Sequence, residues 1–450
     1  MQKILIKEFQ AITEIEIELS NMLILIGEQA SGKSTISKLI YFFKSLPQDL
    51  IDLIYDTLET DDNPQHLFWD KVRQKFYNYF GSTKHLPDFE IRYHYSEDKF
   101  VKLSLRQDKS LKFEINPSEF FQSIFYGKEI QRFTQKVKQF SGQTNAYERS
   151  AFQRAVTDLE TYIKTLFNEY RIPLFIPASR NITVSYPDQF KLDFYGSLRS
   201  DLARQESNQS KIQSVDWHLM ISFLEQTERI KQRFKSNDFR SLVEEKRSLG
   251  MPVDSNTLNS VQTKIEKLLR GQYRQDQYGE KIFYDDENYV HLNNASSGQQ
   301  EVIRILQDIF LILLDQERAF RVIEEPEAHL YPLAQKYLIE LLAIVLNQTD
   351  SQIIITTHSP YILSVINNLL FAKRVVAENQ AVSEEVGTVI PPISWIEPDT
   401  TDVYFLKDGR CESIFDNATG LIDQNYLDEI SEDLGADFQE LYHIHARSFA

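Results

Sequence analysis

The chain has 450 residues, with 49 Lys and Arg against 66 Asp and Glu, a formal net charge of −17. That balance excludes a uniformly basic nucleic-acid coat and leaves room only for a local basic face. With 42% apolar and 26% charged residues and a mean hydropathy of −0.38, the composition is that of a soluble globular protein.

The longest apolar run, Ile309 to Leu314, is far short of the roughly 18 residues of a membrane span, so no membrane partner is expected. The single cysteine, Cys411, can form neither an internal disulfide nor a cysteine metal site, which suits a reducing compartment. The amino terminus has no apolar signal core, and a cytoplasmic protein is expected.

In chain order, the alternations at Lys3 to Phe9 and Ile15 to Leu19 predict antiparallel edge strands, and the apolar run Met22 to Ile26 predicts a buried strand. A glycine-containing turn follows from Gly27, then a helix over Thr35 to Lys44 with Ile36, Leu39, Ile40 and Phe43 on one face. Pro47 to Pro87 has a helical pattern rich in aromatics, and Phe89 to Ile115 alternates as a two- or three-stranded antiparallel sheet. Asn145 to Glu169 predicts one amphipathic helix, with Phe152, Val156, Leu159, Ile163 and Phe167 on a shared face. Pro173 to Ala178 predicts a compact strand.

The polar stretch from about Leu198 to Asn259 is the candidate for an inserted or projecting element; its mixed charges fit a solvated helical face. From Asn294 onward a loop, a helix over Gln299 to Leu314 and a strand at Phe320 to Ile323 are expected, then a helix near Pro332 to Leu346 and a strand at Gln352 to Thr356. Such alternation indicates a parallel sheet covered by helices. Beyond Lys373 a smaller tail is expected, strand-like at Asp402 to Leu406 and helical at Asn425 to His443.

Four segments carry chemistry. Gly27 to Ser34 reads GEQASGKS, matching G-x-x-x-x-G-K-S/T between a predicted strand and a predicted helix. Glycines there let the backbone curl so that its N–H groups face phosphate oxygens, and the helix adds its positive end. The phosphate-binding set is therefore Gly27, Glu28, Ala30, Ser31, Gly32, Lys33, Ser34 and Thr35, with Lys33 on the terminal phosphates and Ser34 on magnesium. The second segment, Arg321 to Pro326 (RVIEEP), delivers two carboxylates to the carboxyl end of an apolar strand, where open α/β sheets build nucleotide sites. Glu324 is expected to hold Mg2+ and Glu325 to polarise the attacking water as general base. In the third, Gln352 to Ser359 (QIIITTHS), His358 lies about one strand-helix-strand unit beyond the acids and can reach the same edge. The fourth, Asn294 to Gln300 (NASSGQQ), opens a helix whose free N–H groups make an anion site.

The order of these segments resembles the ATP-binding-cassette ATPase family, an α/β P-loop fold with a mixed or parallel sheet, an antiparallel β subdomain and a helical insertion. Within it the residues are most similar to the branch of structural-maintenance-of-chromosomes, RecF and overcoming-lysogenization-defect proteins. GEQASGKS matches the Walker A loop and ASSGQQ resembles the signature motif, while RVIEEPEAHLYP and TTHSPYIL are similar to the Walker B with D-loop and switch-histidine segments. The resemblance implies ATP and Mg2+ as cofactors, Glu325 and His358 as catalytic residues, and Ser34 and Glu324 as metal ligands. It also implies that Ser296, Ser297, Gly298 and Gln299 contact ATP held by another subunit's Lys33, so that two protomers enclose two nucleotides. Departures from the family pattern are Ala295 for the usual leucine, Glu324 for the commoner aspartate, and Tyr331 at the D-loop aspartate position. The Q-loop glutamine is unassigned. Arg180 resembles an arginine found after a similar strand in these ATPases; a surface arginine is the alternative.

This reading divides the chain into a first ATPase lobe at 1–197, a helical insertion at 198–290, a second lobe at 291–375 and a small α/β tail at 376–450. The separation of Lys33 from Gly298, 265 residues (298 − 33), is too long for a transporter cassette, and no sustained heptads support a chromosome-type arm. Asp399 to Asp402 lacks the Asp-x-Asp spacing of the nuclease domain carried by overcoming-lysogenization-defect proteins. The expectation is a stand-alone ATP-hydrolysing switch in antiphage or anti-plasmid defence, similar to ATPase subunits of the PARIS and Septu systems, with a separate effector protein. The alternatives are a RecF-like repair ATPase that binds duplex DNA and an ATP-bound scaffold with little turnover.

Overall fold

The computed structural model describes residues 2–58, 64–83, 85–106, 112–125, 127–140, 146–185, 215–235 and 237–423. The expected helix at Asn425 to His443 lies outside them. Strands are β1 (Lys3–Phe9), β2 (Ile12–Glu18), β3 (Met22–Gly27), β4 (Phe89–His94), β5 (Phe100–Arg106), β6 (Lys112–Pro117), β7 (Ile172–Ile176), β8 (Gln272–Asp276), β9 (Gly279–Phe283) and β10 (Tyr289–His291). They continue with β11 (Ala319–Glu324), β12 (Gln352–Thr357), β13 (Thr401–Lys407), β14 (Arg410–Ser413), β15 (Phe415–Asp416) and β16 (Leu421–Ile422). Helices are α1 (Lys33–Lys44), α2 (Leu46–Asp56), α3 (Pro64–Phe80), α4 (Glu119–Phe125), α5 (Glu129–Phe140), α6 (Ala146–Leu166) and α7 (Ile182–Ser185). The rest are α8 (Val215–Arg233), α9 (Phe239–Ser248), α10 (Ser255–Leu269), α11 (Ser297–Asp315), α12 (Pro332–Gln348), α13 (Pro360–Glu378) and α14 (Ser383–Val389). The fold is mixed α/β.

Its centre is a six-stranded sheet in the order β14-β13-β3-β12-β11-β7, parallel except for β14 at one edge. All six residues of β3, β11 and β12 are buried, as expected of parallel strands covered on both faces. Their side chains alternate between two cores: Met22, Ile24, Ile353 and Ile355 enter one, and Leu23, Leu25, Ile354 and Val322 the other. Because β3, β12 and β11 are adjacent and parallel, their carboxyl ends emerge side by side, and each of the phosphate-loop, histidine and acidic segments begins there.

The antiparallel sheet has five strands, β2-β1-β4-β5-β6, rather than the two or three expected, because β1 pairs with β4 across a long sequence gap. β1 is consequently interior, not an edge. Phe9, Phe76, Phe89 and Phe113 meet in the core beside this sheet, with ring centroids 4.7–6.3 Å apart.

Two features differ from the linear reading. The 198–290 stretch is not purely helical: β8, β9 and β10 form a three-stranded sheet. Nor do its described helices project, since Phe223 and Leu224 of α8, Leu242 of α9 and Val261 and Ile265 of α10 are buried in the main core. The described part of the 376–450 tail, to residue 423, is not separate either. Its strand β13 lies next to β3 in the central sheet, with Val403 opposite Ile24 and Leu406 opposite Gly27. Parallel partners so far apart in sequence leave no local signal.

Candidate functional site

The loop between β3 and α1 follows the curve its glycines allow. Gly27, Ala30 and Gly32 all have positive φ (155°, 62° and 100°), conformations that favour glycine. At Gly27 the reason is also steric, because a Cβ there would stand 2.2 Å from the Leu406 carbonyl oxygen of β13. Lys33 is buried, and its Nζ donates to the carbonyls of Gly27 at 2.8 Å and Glu28 at 2.6 Å. Burial lowers its pKa, and the charges of Glu325 and Glu327 oppose that shift. Thr35 Oγ1 donates to Gln10 Oε1 at 2.8 Å, tying the helix start to the β1–β2 turn.

Ser34 Oγ donates to Glu324 Oε1, which joins the end of the phosphate loop to the end of β11. Both donor atoms are oxygens, the set a hard divalent cation prefers. Among the described residues no group of three or more His, Cys, Asp and Glu could hold a metal by itself. An Mg2+ ion fits such a sparse set, since it is ordinarily held by one or two protein ligands plus phosphates and waters.

Glu325 has φ of 44°, a left-handed conformation that costs a non-glycine residue about 1–2 kcal/mol. Neighbours hold it there. Its N–H donates to the Thr356 carbonyl at 2.8 Å, and its own carbonyl accepts from Arg180 at 3.0 Å. Its Oε1 lies 3.5 Å from His358 Nε2, and both side chains are partly exposed. Thus β11 and β12 bring Glu325 and His358 together beside the loop that carries Lys33.

Arg180 is fully buried, not a surface residue. Its guanidinium donates to the carbonyls of Glu324 at 2.8 Å, Glu325 at 3.0 Å, Glu301 at 3.1 Å and Pro177 at 3.3 Å. It also pairs with Glu301 Oε2 at 3.3 Å. Burial lowers the arginine pKa against four surrounding glutamates, of which Glu301 weighs most. Burial raises the pKa of Glu301 in turn, with Arg180 and then His329 opposing.

Ser296, Ser297, Gly298 and Gln299 stand at the start of α11. Ser296 and Gln299 form a capping box, and Gln299 Nε2 donates to the Leu269 carbonyl at 2.7 Å. Gly298 packs against the turn after β11, where a Cβ would meet the His329 carbonyl oxygen at 2.7 Å. No hydrogen bond or ion pair among the described residues joins 296–299 to the phosphate loop at 27–35 of the same chain. Glu327, Glu301 and Gln10 also take part in the site and are not singled out by the sequence motifs. The third glutamate of EEPE was the available signal for Glu327; the other two carry none.

A family model described as AAA ATPase domain (AAA_15) matches residues 1–363. No curated protein matches. Among solved structures the chain is similar to an SMC head bound to the C-winged helix domain of ScpA, at 12% identity and TM-score 0.39, covering 92% of this chain and 96% of that one. It is similar to the SMC head domain from Thermotoga maritima at 13% identity and TM-score 0.35, covering 92% and 97%. A third is the Smc head domain with an extended coiled coil bound to the C-terminal domain of ScpA from Pyrococcus furiosus, at 12% identity and TM-score 0.36, covering 96% and 100%. Since the family model spans well over half the chain and takes in the phosphate loop, both acids and the histidine, the chain belongs to the AAA ATPase domain family.

Proposed function

We propose that the protein is an Mg2+-dependent ATPase in which two protomers close on ATP, and that this closure governs a separate effector protein. The observation that carries the reading is the junction of three strand ends. Ser34 of the phosphate loop bonds Glu324, and the next residue, Glu325, faces His358. In the proposed reaction Lys33 exchanges its contacts with the Gly27 and Glu28 carbonyls for the terminal phosphates. The N–H groups of Glu28, Ala30 and Gly32, that of Ser31 once it leaves the Glu28 carbonyl, and the amino end of α1 meet the phosphate chain. Ser34 and Glu324 are the residues that would hold Mg2+, which when bound neutralises charge on the β- and γ-phosphates. Glu325 orients the attacking water and accepts its proton, His358 steadies that carboxylate and meets the terminal phosphate, and the bond to the leaving ADP oxygen breaks.

The two-protomer arrangement is supported by the local engagement of Ser296 to Gln299, which among the described residues form no hydrogen bond or ion pair with the 27–35 loop of their own chain. Their exposed helix start is proposed to meet the nucleotide on a second copy. The wider role, effector control in antiphage or anti-plasmid defence, rests on the likeness of RVIEEPEAHLYP and TTHSPYIL to overcoming-lysogenization-defect proteins.

Steady-state phosphate release by the purified chain, with and without Mg2+ and duplex DNA, tests this reading, with Glu325→Gln as comparison. Mg2+-dependent turnover that Glu325→Gln lowers by about 100-fold or more, with ATP still bound, is expected. Unchanged turnover in that variant removes Glu325 as base. Stimulation by DNA would transfer the trigger from a protein effector to nucleic acid.

A further inference from the structure

The turn after β11 carries a third carboxylate that the reaction above leaves without a task. Glu327 Oε1 accepts two hydrogen bonds, from Thr357 Oγ1 at 2.6 Å and from the His358 backbone N–H at 2.8 Å. Both donors belong to the end of β12. A side chain from the acidic segment therefore holds the backbone from which the switch histidine departs. That histidine reaches back to Glu325, two residues before Glu327, at 3.5 Å.

The second oxygen of Glu327, Oε2, is buried and has no hydrogen-bond partner among the described residues. An unpaired buried oxygen of this kind is unfavourable, so local packing alone does not favour a carboxylate there.

We propose that Glu327 is a positioning residue for hydrolysis: its Oε1 fixes Thr357 and the His358 amide, and so presents the His358 imidazole to Glu325. It acts through His358, and among the described residues its side chain forms no hydrogen bond with the 27–35 loop. The inference rests on the ATPase reading above.

The test compares full-length Glu327→Ala, Glu327→Gln and Thr357→Val with the unaltered chain. Three quantities are read: kcat and KM for ATP, binding of a fluorescent ATP analogue, and hydrogen exchange at the His358 amide without nucleotide. Glu327→Ala removes the acceptor; a glutamine side-chain carbonyl can replace it. The expected result is a loss of about tenfold or more in kcat for Glu327→Ala. KM and analogue binding should stay within about threefold, since uniform binding is untouched. Exchange at His358 should quicken in Glu327→Ala, and Glu327→Gln should restore both kcat and slow exchange. If Glu327→Ala fails to fold, Thr357→Val deletes one donor to Glu327 Oε1, along with the acceptor of the Ser359 N–H at 2.9 Å, and a fall in kcat at constant KM with faster exchange at the His358 amide is expected.

Wild-type kcat and exchange in either the alanine or the valine variant overturn the proposal. So does a glutamine variant as impaired in kcat as the alanine one while its His358 amide stays protected. Failure of the ATPase reading is seen separately, as phosphate release that survives Lys33→Ala, and the exchange measurement still decides what Glu327 holds.

Discussion

Replacing Arg180 with methionine should unsettle the site from behind. The guanidinium is fully buried and donates to the carbonyls of Glu324, Glu325, Glu301 and Pro177, two of which precede and follow the peptide that presents the proposed base. Methionine fills most of the volume but supplies no donor, and it leaves Glu301 Oε2 without its cation at 3.3 Å. Breaking one side of a buried ion pair typically costs about 3–5 kcal/mol. Part of this is recovered because Glu301, whose pKa burial already raises, can take up a proton. A net loss of about 3 kcal/mol follows. With an unfolding entropy of roughly 2.1 cal/mol/K per residue, that corresponds to about 3 °C in Tm for a chain of this length melting as one unit. Turnover should fall further than stability suggests, because Glu325 keeps its φ of 44° only while its carbonyl and N–H are held. The assay is a thermal melt with phosphate release at a temperature well below both transitions, for Arg180→Met, Glu301→Leu and the double variant. The pair shares a contact, so the double variant should lose about 1 kcal/mol or more less than the sum of the singles. Strict additivity, or Arg180→Met with unaltered Tm and kcat, refutes the reasoning.

Lys33→Ala should abolish ATP binding in a direct titration with a fluorescent analogue while leaving the fold intact, because among the described residues Lys33 bonds only loop atoms. Gly27→Ala should reduce soluble yield and Tm, since its Cβ would lie 2.2 Å from a backbone oxygen of β13, and the positive φ adds about 1 kcal/mol. Gly298→Ala is expected to fold but to lose turnover with ATP binding retained, as its Cβ presses on the His329 carbonyl at 2.7 Å in the turn after the acids. The Glu280–Arg304 pair sets a pH dependence. Burial pushes Glu280 up, but the bidentate contact with Arg304 at 2.6 Å outweighs it and holds the carboxyl at about 2. A folded pKa below the unfolded value means that this stability is present above about pH 4.5 and lost as pH falls toward 2. The urea midpoint difference between the unaltered chain and Glu280→Gln should therefore be largest near neutrality and shrink below pH 4.

What the sequence disclosed depends on where each signal is stored. The turn from Gly27 to Ser34 is written in eight consecutive residues, and Gly27, Gly32, Lys33 and Ser34 are readable because each satisfies a demand of its own backbone or of the proposed phosphate. The acidic pair was legible for the same reason, as carboxylates at the end of a buried run, and His358 by its spacing from them. Arg180 was half visible: PLFIPASR announced a strand end, but burial of its guanidinium depends on carbonyls of Glu301, Glu324 and Glu325, more than 100 residues away. Glu327 went unread because the two hydrogen bonds that define it reach across to β12, 30 and 31 residues later. β13 is the same case at the level of the fold. The sequence reads only as a strand-like piece of a small tail, yet Leu406 stands opposite Gly27, where only a residue without a Cβ lets the two backbones approach. The glycine that looked like a phosphate-binding residue alone is therefore also the contact that admits β13 to the sheet, and the two demands cannot be mutated apart.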